Sequence, residues 1–477
     1  MMKYFYTILL CFWTFCIYSQ IDNKLQKEVI ELFSHKAFKH ASIGLCVYDF
    51  NCKKIVVDIN AEKTLIPAST LKVLTCFTAL NHLSADFEYE TKISYSGRLK
   101  NGVLKGNIYI QGSGDPTLGS GKLGAKHTKE LIKEIVKTIK AKGIKSITGK
   151  VIADESIFDS FPISPSWQWN DIGNYYATGA WGININDNLY TAFFGDRKKV
   201  GDQPILKGTN PVIPGMSISN ELTLDSAGTE DQAYVFGGPY NFKKRIVGTI
   251  PVGKGSFSIR GAIPDPPLFF AQSIATSLKR NGIKTGGAES QYHSKHKKRN
   301  TIITINSPKF GEIVRECLFK SNNLYCESIL KTMAYDKYKQ GTGGYGIKMI
   351  FDLMAKLGLD ANSLHMEDGS GLSVRNGVSP MLLAKFVGEY GNKFDQIKIA
   401  DYLPKMGRQG TVRGLNIKGD VWGKSGSMHD IQCFTGIIED KNGYAYSYSI
   451  MVNRFDIEQS SMVTKLTKIL NLISKRL

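Results

Sequence analysis

Apolar and polar residues alternate over residues 42–49 and again over 54–59, with Asp49-Phe50-Asn51 between them, which predicts two strands joined by a tight turn. Pro67 then opens a helical stretch whose apolar positions Leu71, Leu74, Phe77 and Leu80 share one face. From about residue 90 to 290 the texture changes to short strands and glycine turns, interrupted by helical patterns near 128–142 and 267–281. Helices dominate after 310, and the chain closes with strands at 431–438 and 445–452 and a final helix. That helix places Val463, Leu466, Ile469, Leu470 and Ile473 on one face. A membrane-surface anchor would share this pattern, but the helix follows its strand without a linker, so packing on the sheet is expected. The whole reads as an α/β domain, residues 20–92 and 290–477, split by a mostly β insertion at 93–289. No repeat or low-complexity segment is present.

Composition narrows the setting. The 477 residues call for more than one domain, and a 42% hydrophobic content can fill a large core. Lys3, the apolar run Phe5–Ile17 and the small residue Ser19 describe a secretory signal peptide, cut after Ser19, too short to span a bilayer. An exported, periplasmic protein is therefore expected, attached to membrane or wall at most peripherally. A formal charge of +19 suits an acidic partner, yet the lysines are scattered and the densest run, Lys295–Arg299, is short. Export excludes nucleic acid as a partner. Cys46, Cys52, Cys76, Cys317, Cys326 and Cys433 are too sparse for a disulfide scaffold. A disulfide could close the turn between Cys46 and Cys52, with buried free thiols as the default. No Cys/His spacing predicts a metal site, and no cofactor is expected.

The candidate chemistry is a serine and two lysines. A hydroxyl becomes a nucleophile when a base takes its proton, and a lysine serves if its surroundings lower its pKa. Ser-x-x-Lys on a helix sets the two residues on one face. Three such pairs exist: Ser69/Lys72, Ser294/Lys297 and Ser328/Lys331. Only Ser69 follows a proline at a helix start, where the helix dipole adds positive potential. Ser294 lies in a basic loop and Ser328 in mid-helix. Ser-Lys acyl transferases add a Ser- or Tyr-x-Asn cluster and a Lys-Thr/Ser-Gly cation. Ser321-Asn322-Asn323 falls between two helical stretches, and Lys424-Ser425-Gly426-Ser427 enters a strand region. Lys284-Thr285-Gly286 comes too early in the chain and reads as a helix-ending turn. Tyr390-Gly391-Asn392 sits at a helix C-terminus, where glycine is expected anyway.

With these three motifs in order, the chain resembles the class C low-molecular-mass penicillin-binding proteins, the D-alanyl-D-alanine carboxypeptidase/endopeptidases. Asp368-Gly369-Ser370-Gly371-Leu372-Ser373, Gly114-Asp115-Pro116-Thr117-Leu118 and Trp167-Gln168-Trp169-Asn170-Asp171 are similar to further segments of that family. The resemblance implies the serine β-lactamase/DD-peptidase fold, with the large insertion between the first and second motifs. It implies that Ser69 is acylated by the D-Ala-D-Ala carbonyl of a peptidoglycan stem peptide while Lys72 takes its proton. Ser321 would relay a proton to the leaving D-Ala, and Asn323 would hold the substrate amide. Lys424, Ser425 and Ser427 would bind the terminal carboxylate beside Gly426, and the N–H groups of Ser69 and Ser427 would form the oxyanion hole. β-Lactams would acylate Ser69 durably. Asp171 would face the amino end of the stem-peptide diamino acid, or cap a turn. Val374 and then Arg375 stand where relatives often carry a basic residue directly, which puts the side-chain recognition pocket in question. Gly369 and Gly371 read as turn formers, and Trp167 and Trp169 as packing residues. Carboxypeptidase and endopeptidase action both stay open. So do two rivals: a β-lactamase of the same fold, and a wall-binding scaffold without activity.

Overall fold

The computed structural model describes residues 24–292, 298–394 and 398–477. The expected signal peptide and the pair Ser294/Lys297 lie outside the described residues, as does most of the basic run. The chain forms two compact units. The first gathers the chain up to Asn81, Arg315–Ser321 and Ile347–Leu477, and the second gathers His82–Val314 and Asn322–Gly346.

The first unit is built on one antiparallel sheet. Its strands are β1 (Ser42–Asp49), β2 (Lys54–Ile59), β3 (Asp420–Met428), β4 (Ile431–Glu439) and β5 (Ala445–Asn453), in the spatial order β3-β4-β5-β1-β2. Asp49 makes the first turn, its Oδ1 accepting from the N–H groups of Asn51 and Cys52 at 3.0 Å each. The alternation in β1 is not inside against outside. Leu45 and Val47 join a core with helix Gln459–Arg476, while Cys46 and Tyr48 join Ala61 and Ala384 on the other face. Side chains alternate along a strand, so both faces are covered and the small or amphipathic residues serve the tighter one. There Ser447 Oγ donates to Ala384 O at 2.7 Å, seating helix Pro380–Lys393 against the sheet.

The final helix packs as expected: Met462, Leu466, Ile469, Leu470 and Ile473 are all in the core. No described helix is long and apolar enough to cross a membrane. The six described cysteines form no disulfide, so Cys46 and Cys52 are not bridged, and all but Cys52 are buried. Cys76 and Cys317, distant in sequence, bring their sulfurs to 3.7 Å.

The second unit combines a five-stranded sheet with three three-stranded sheets and the helices Thr128–Ala141 and Pro266–Arg280. Its core is aliphatic, with Phe194 and Phe270 fully buried. Trp167 is buried as expected, but Trp169 is 67% exposed and lies against the Phe236 ring at 5.9 Å. Between Asp154 and Ser156 the chain buries Glu155 completely, with no hydrogen-bond partner for either carboxylate oxygen among the described residues. Desolvation, with Asp265 and Asp154 nearby, pushes its pKa up to about 9, against a small opposing effect of Lys331. The folded state therefore holds a proton that the unfolded chain releases. Stability from this group is present below the ordinary glutamate range and is lost as pH rises towards 9. Glu155→Gln should remove that loss, so thermal unfolding at pH 6 and pH 9 should differ less in the variant. The expected difference is about 1.4 kcal/mol per pH unit over that window. Equal pH slopes for the two proteins would contradict a buried neutral Glu155.

Candidate active site

The residues around Ser69 are placed by backbone packing within the first unit. Pro67 precedes a 3-10 turn, Ala68–Leu71, and the α-helix proper is Lys72–Leu83. Ser69 thus sits one short turn ahead of the α-helix rather than in its first turn. Ala68 holds a left-handed φ of 46°, a strained choice for a residue with a side chain. Thr70 Oγ1 steadies the turn by donating to Pro67 O at 2.7 Å. Three residues on, Lys72 is fully buried. Its Nζ donates to Ser69 Oγ at 2.8 Å and to Ser370 O at 2.6 Å.

Ser370 O is available because Asp368 shapes its loop. The Asp368 Oδ1 accepts from Gly371 N at 2.8 Å and Asn376 Nδ2 at 2.9 Å, and its Oδ2 accepts from Ser373 N at 2.7 Å. Thr75 Oγ1 adds a 2.8 Å bond to Gly369 O. Gly371 has a positive φ of 78°, and a Cβ there would lie 2.0 Å from Ala68 O. Only glycine lets this loop pass under the Ser69 turn.

Strand β3 closes the other side. A Cβ on Gly426 would lie 2.6 Å from Pro67 O and 3.0 Å from Ser69 N, so here too backbone meets backbone. β3 is an edge strand, paired with β4 alone in the sheet. Gly423 N donates outward to Pro404 O, and Val421 O accepts outward from Met406 N. By the alternation of an antiparallel strand, the N–H groups of Ser425 and Ser427 also point away from β4. Lys424 is fully buried, and its Nζ donates to Ser321 Oγ at 2.9 Å and to Ser425 O at 2.5 Å. Ser321 sits between helices Phe310–Lys320 and Asn323–Tyr338 with a left-handed φ of 57°. The Ser425 hydroxyl lies 2.9 Å from Thr411 Oγ1. The Ser427 hydroxyl donates at 2.7 Å to Gln432, its cross-strand partner, which Gln459 holds through a 2.8 Å bond.

Two expected site residues belong to the second unit. Asn323 Nδ2 donates to Tyr176 O at 2.9 Å, and the Tyr176 hydroxyl donates to Asp171 Oδ1 at 2.9 Å. Tyr176 therefore ties the last residue of the middle motif to Asp171. Burial holds the half-buried Asp171 carboxyl above its ordinary range, while the Tyr176 hydroxyl opposes this. Asn322 caps the helix that Asn323 begins, accepting from Tyr325 N at 3.2 Å. Thr411, Gln432 and Tyr176 carry no motif, and only Tyr176's closeness to Asp171 in sequence could have drawn attention to it.

The decoys have other partners. Lys331 pairs with Asp159 at 2.9 Å, and Ser328 accepts from Asn184 at 3.4 Å. Tyr390 packs against Phe77 and Phe394 with tilted rings, and Gly391 lies inside its helix rather than past its end. Arg375 is exposed and pairs with Glu367 at 3.3 Å.

The sequence profile of the D-Ala-D-Ala carboxypeptidase 3 (S13) family matches residues 25–472. A D-alanyl-D-alanine carboxypeptidase DacB from Haemophilus influenzae is 22% identical over 433 residues, covering 89% of this chain and 88% of that one. A D-alanyl-D-alanine carboxypeptidase from Actinomadura sp. strain R39 is 23% identical over 460 residues, covering 90% and 81%. The crystal structure of penicillin binding protein 4 from H. influenzae superposes with a TM-score of 0.81 at 22% identity, covering 94% of this chain and 99% of that one. The fold is that of the penicillin-binding proteins, as the motifs implied. With its profile matched along nearly the whole length, the chain belongs to the D-Ala-D-Ala carboxypeptidase 3 (S13) family.

Proposed function

We propose that Ser69 is the nucleophile with which this serine DD-peptidase opens the D-alanyl-D-alanine bond of peptidoglycan stem peptides. The observation that carries the assignment is Lys72 Nζ, 2.8 Å from Ser69 Oγ and held there by Ser370 O. The proton of Ser69 passes to Lys72 as Oγ attacks the carbonyl carbon of the penultimate D-Ala. Negative charge then gathers on the carbonyl oxygen, where the N–H groups of Ser69 and Ser427 receive it. Losing one such donor typically costs about 3 kcal/mol. As the peptide C–N bond breaks, the leaving nitrogen receives the proton that Lys72 took, relayed through the Ser321 hydroxyl, which Lys424 Nζ orients across 2.9 Å. Lys424, with Ser425 and Ser427 beside Gly426, attracts the terminal carboxylate. Water then attacks the acyl-Ser69 ester, Lys72 taking its proton and returning it to Ser69 Oγ, and the shortened peptide is released. Asn323 is assigned the substrate amide and Asp171 the ammonium of the diamino acid by the family resemblance.

A β-lactam offers the same carbonyl in a ring, so its leaving nitrogen stays tethered and the acyl-enzyme persists. Residues 1–19 direct the protein to the periplasm, and 93–289 form an insertion within the catalytic domain 20–92 and 290–477. Digestion of purified cross-linked muropeptides with mass analysis tests the reading and separates its two forms. Free D-Ala alone means carboxypeptidase, dimers converted to monomers mean endopeptidase, and no cleavage at all defeats it. Rapid turnover of a fluorescent penicillin would favour a β-lactamase instead.

Ser69→Ala should abolish the covalent penicillin adduct and lower peptide hydrolysis by at least about a thousandfold. Lys72→Ala should slow acylation by about a hundredfold to ten-thousandfold with the fold intact, read by penicillin labelling against time. A variant that labels at the wild-type rate would remove Lys72 from the proton path. Gly371→Ala should lose labelling as well, because its Cβ would lie 2.0 Å from Ala68 O. Circular dichroism should show the sheet retained, and full labelling would mean the loop has room to move.

A further inference from the structure

The second unit carries a groove of about 1090 Å³ between the helices Thr128–Ala141 and Pro266–Arg280 and the loop 210–214. No residue of the three motifs lines it. Its rim on the first helix is Lys129, Lys133, Lys137 and Lys140, all exposed, with Arg280 facing them from the second helix. No aspartate or glutamate lines it. Among the described residues these five cations make no ion pair. The two carboxylates on the same helix are engaged elsewhere: Glu134 pairs with Lys126, and Glu130 accepts from His127 N. Positions i, i+4, i+8 and i+11 fall within one narrow arc of a helix and spread along about 16 Å of its axis. Ile132, Val136 and Phe269 supply an apolar wall, and Val212, 75% exposed, stands at the edge.

The dimensions and charge decide the occupant. A planar bilayer meets a convex surface, whereas a trough receives a chain. An extended peptide of five residues covers about 17 Å, the length of the lysine row. The trough's volume matches that of sites that enclose several side chains. A row of unpaired ammonium groups along an apolar wall fits a chain that alternates carboxylates with small apolar side chains. From this we infer that the groove is a second binding site for the carboxylate-bearing stem peptides of peptidoglycan, holding the polymer while Ser69 works on one of its ends. The inference rests on the peptidase reading above. It also gives part of the basic charge a location: a concentrated one, on a face with no acidic counterpart.

The full-length protein tests it by co-sedimentation with purified sacculi at low and high salt. Replacing Lys129, Lys133, Lys137 and Lys140 by Gln should weaken binding about tenfold at low salt, as four exposed charge contacts are lost, and flatten the salt dependence. Release of D-Ala from sacculi should fall by a similar factor, while hydrolysis of a short soluble D-Ala-D-Ala peptide keeps its rate. Thr276→Glu, on the facing helix, should have the same effect without touching the lysine row. Unchanged sedimentation and unchanged sacculus turnover in both variants would overturn the inference. So would tighter binding to phosphatidylglycerol vesicles than to sacculi, lost in the same variants, which would make the groove a lipid site. If the wild-type protein fails even on the short peptide, the peptidase reading falls, and the sedimentation still decides the groove.

Discussion

The site depends on backbone approaching backbone around one short turn. Ala68 and Ser69 are clasped between the loop carrying Gly371 and the strand carrying Gly426, at distances where a Cβ on either glycine would overlap peptide atoms. This contact sets where Ser69 can be, and hence where Lys72, Ser370 and the N–H of Ser427 must be. The left-handed φ values of Ala68 and Ser321 are of the kind that persists only when the surroundings over-determine them. Asp368 is the main surrounding group for the first of these. With both carboxylate oxygens engaged by its own loop, it holds Gly371 beneath the turn.

Two buried amines follow from that frame. An amine away from water must find hydrogen-bond partners, and each lysine finds a backbone carbonyl and a serine hydroxyl. Lys72 has Ser370 O and Ser69 Oγ, and Lys424 has Ser425 O and Ser321 Oγ. The carbonyls fix the amines and the hydroxyls are the exchangeable partners. Each hydroxyl therefore lies within hydrogen-bond reach of an amine that the carbonyl already holds in place.

The second unit shows a different balance of terms. Its core encloses Glu155 with neither oxygen satisfied, a burden on stability that grows with pH. Its surface gathers four lysines on one helical face opposite Arg280, where net charge alone would have given a scattered coat. The lysine row follows from spacing along one helix, whereas the burial of Glu155 and the facing Arg280 come from packing of segments far apart in the chain.

Much of the candidate site could be read from order and local context. Pro67 before Ser69, Ser321 between two helical runs and Lys424 in a strand pattern are local features, decided by propensity and spacing over a few residues. The terminal helix was legible for the same reason, since its apolar face recurs at the helical period. What local pattern could not decide was which faces would be covered and which backbones would touch. Alternation in β1 did not reveal that Cys46 and Tyr48 would be buried along with Leu45 and Val47, because a second layer covers the other face. The exposure of Trp169, the Tyr176 link between Asn323 and Asp171, and the support of Ser427 by Gln432 likewise depend on contacts beyond the local segment. The sequence determined which groups could do the chemistry, because reactivity belongs to residue types and their near neighbours. The tertiary structure alone decided their distances, because those are set by close packing between segments hundreds of residues apart.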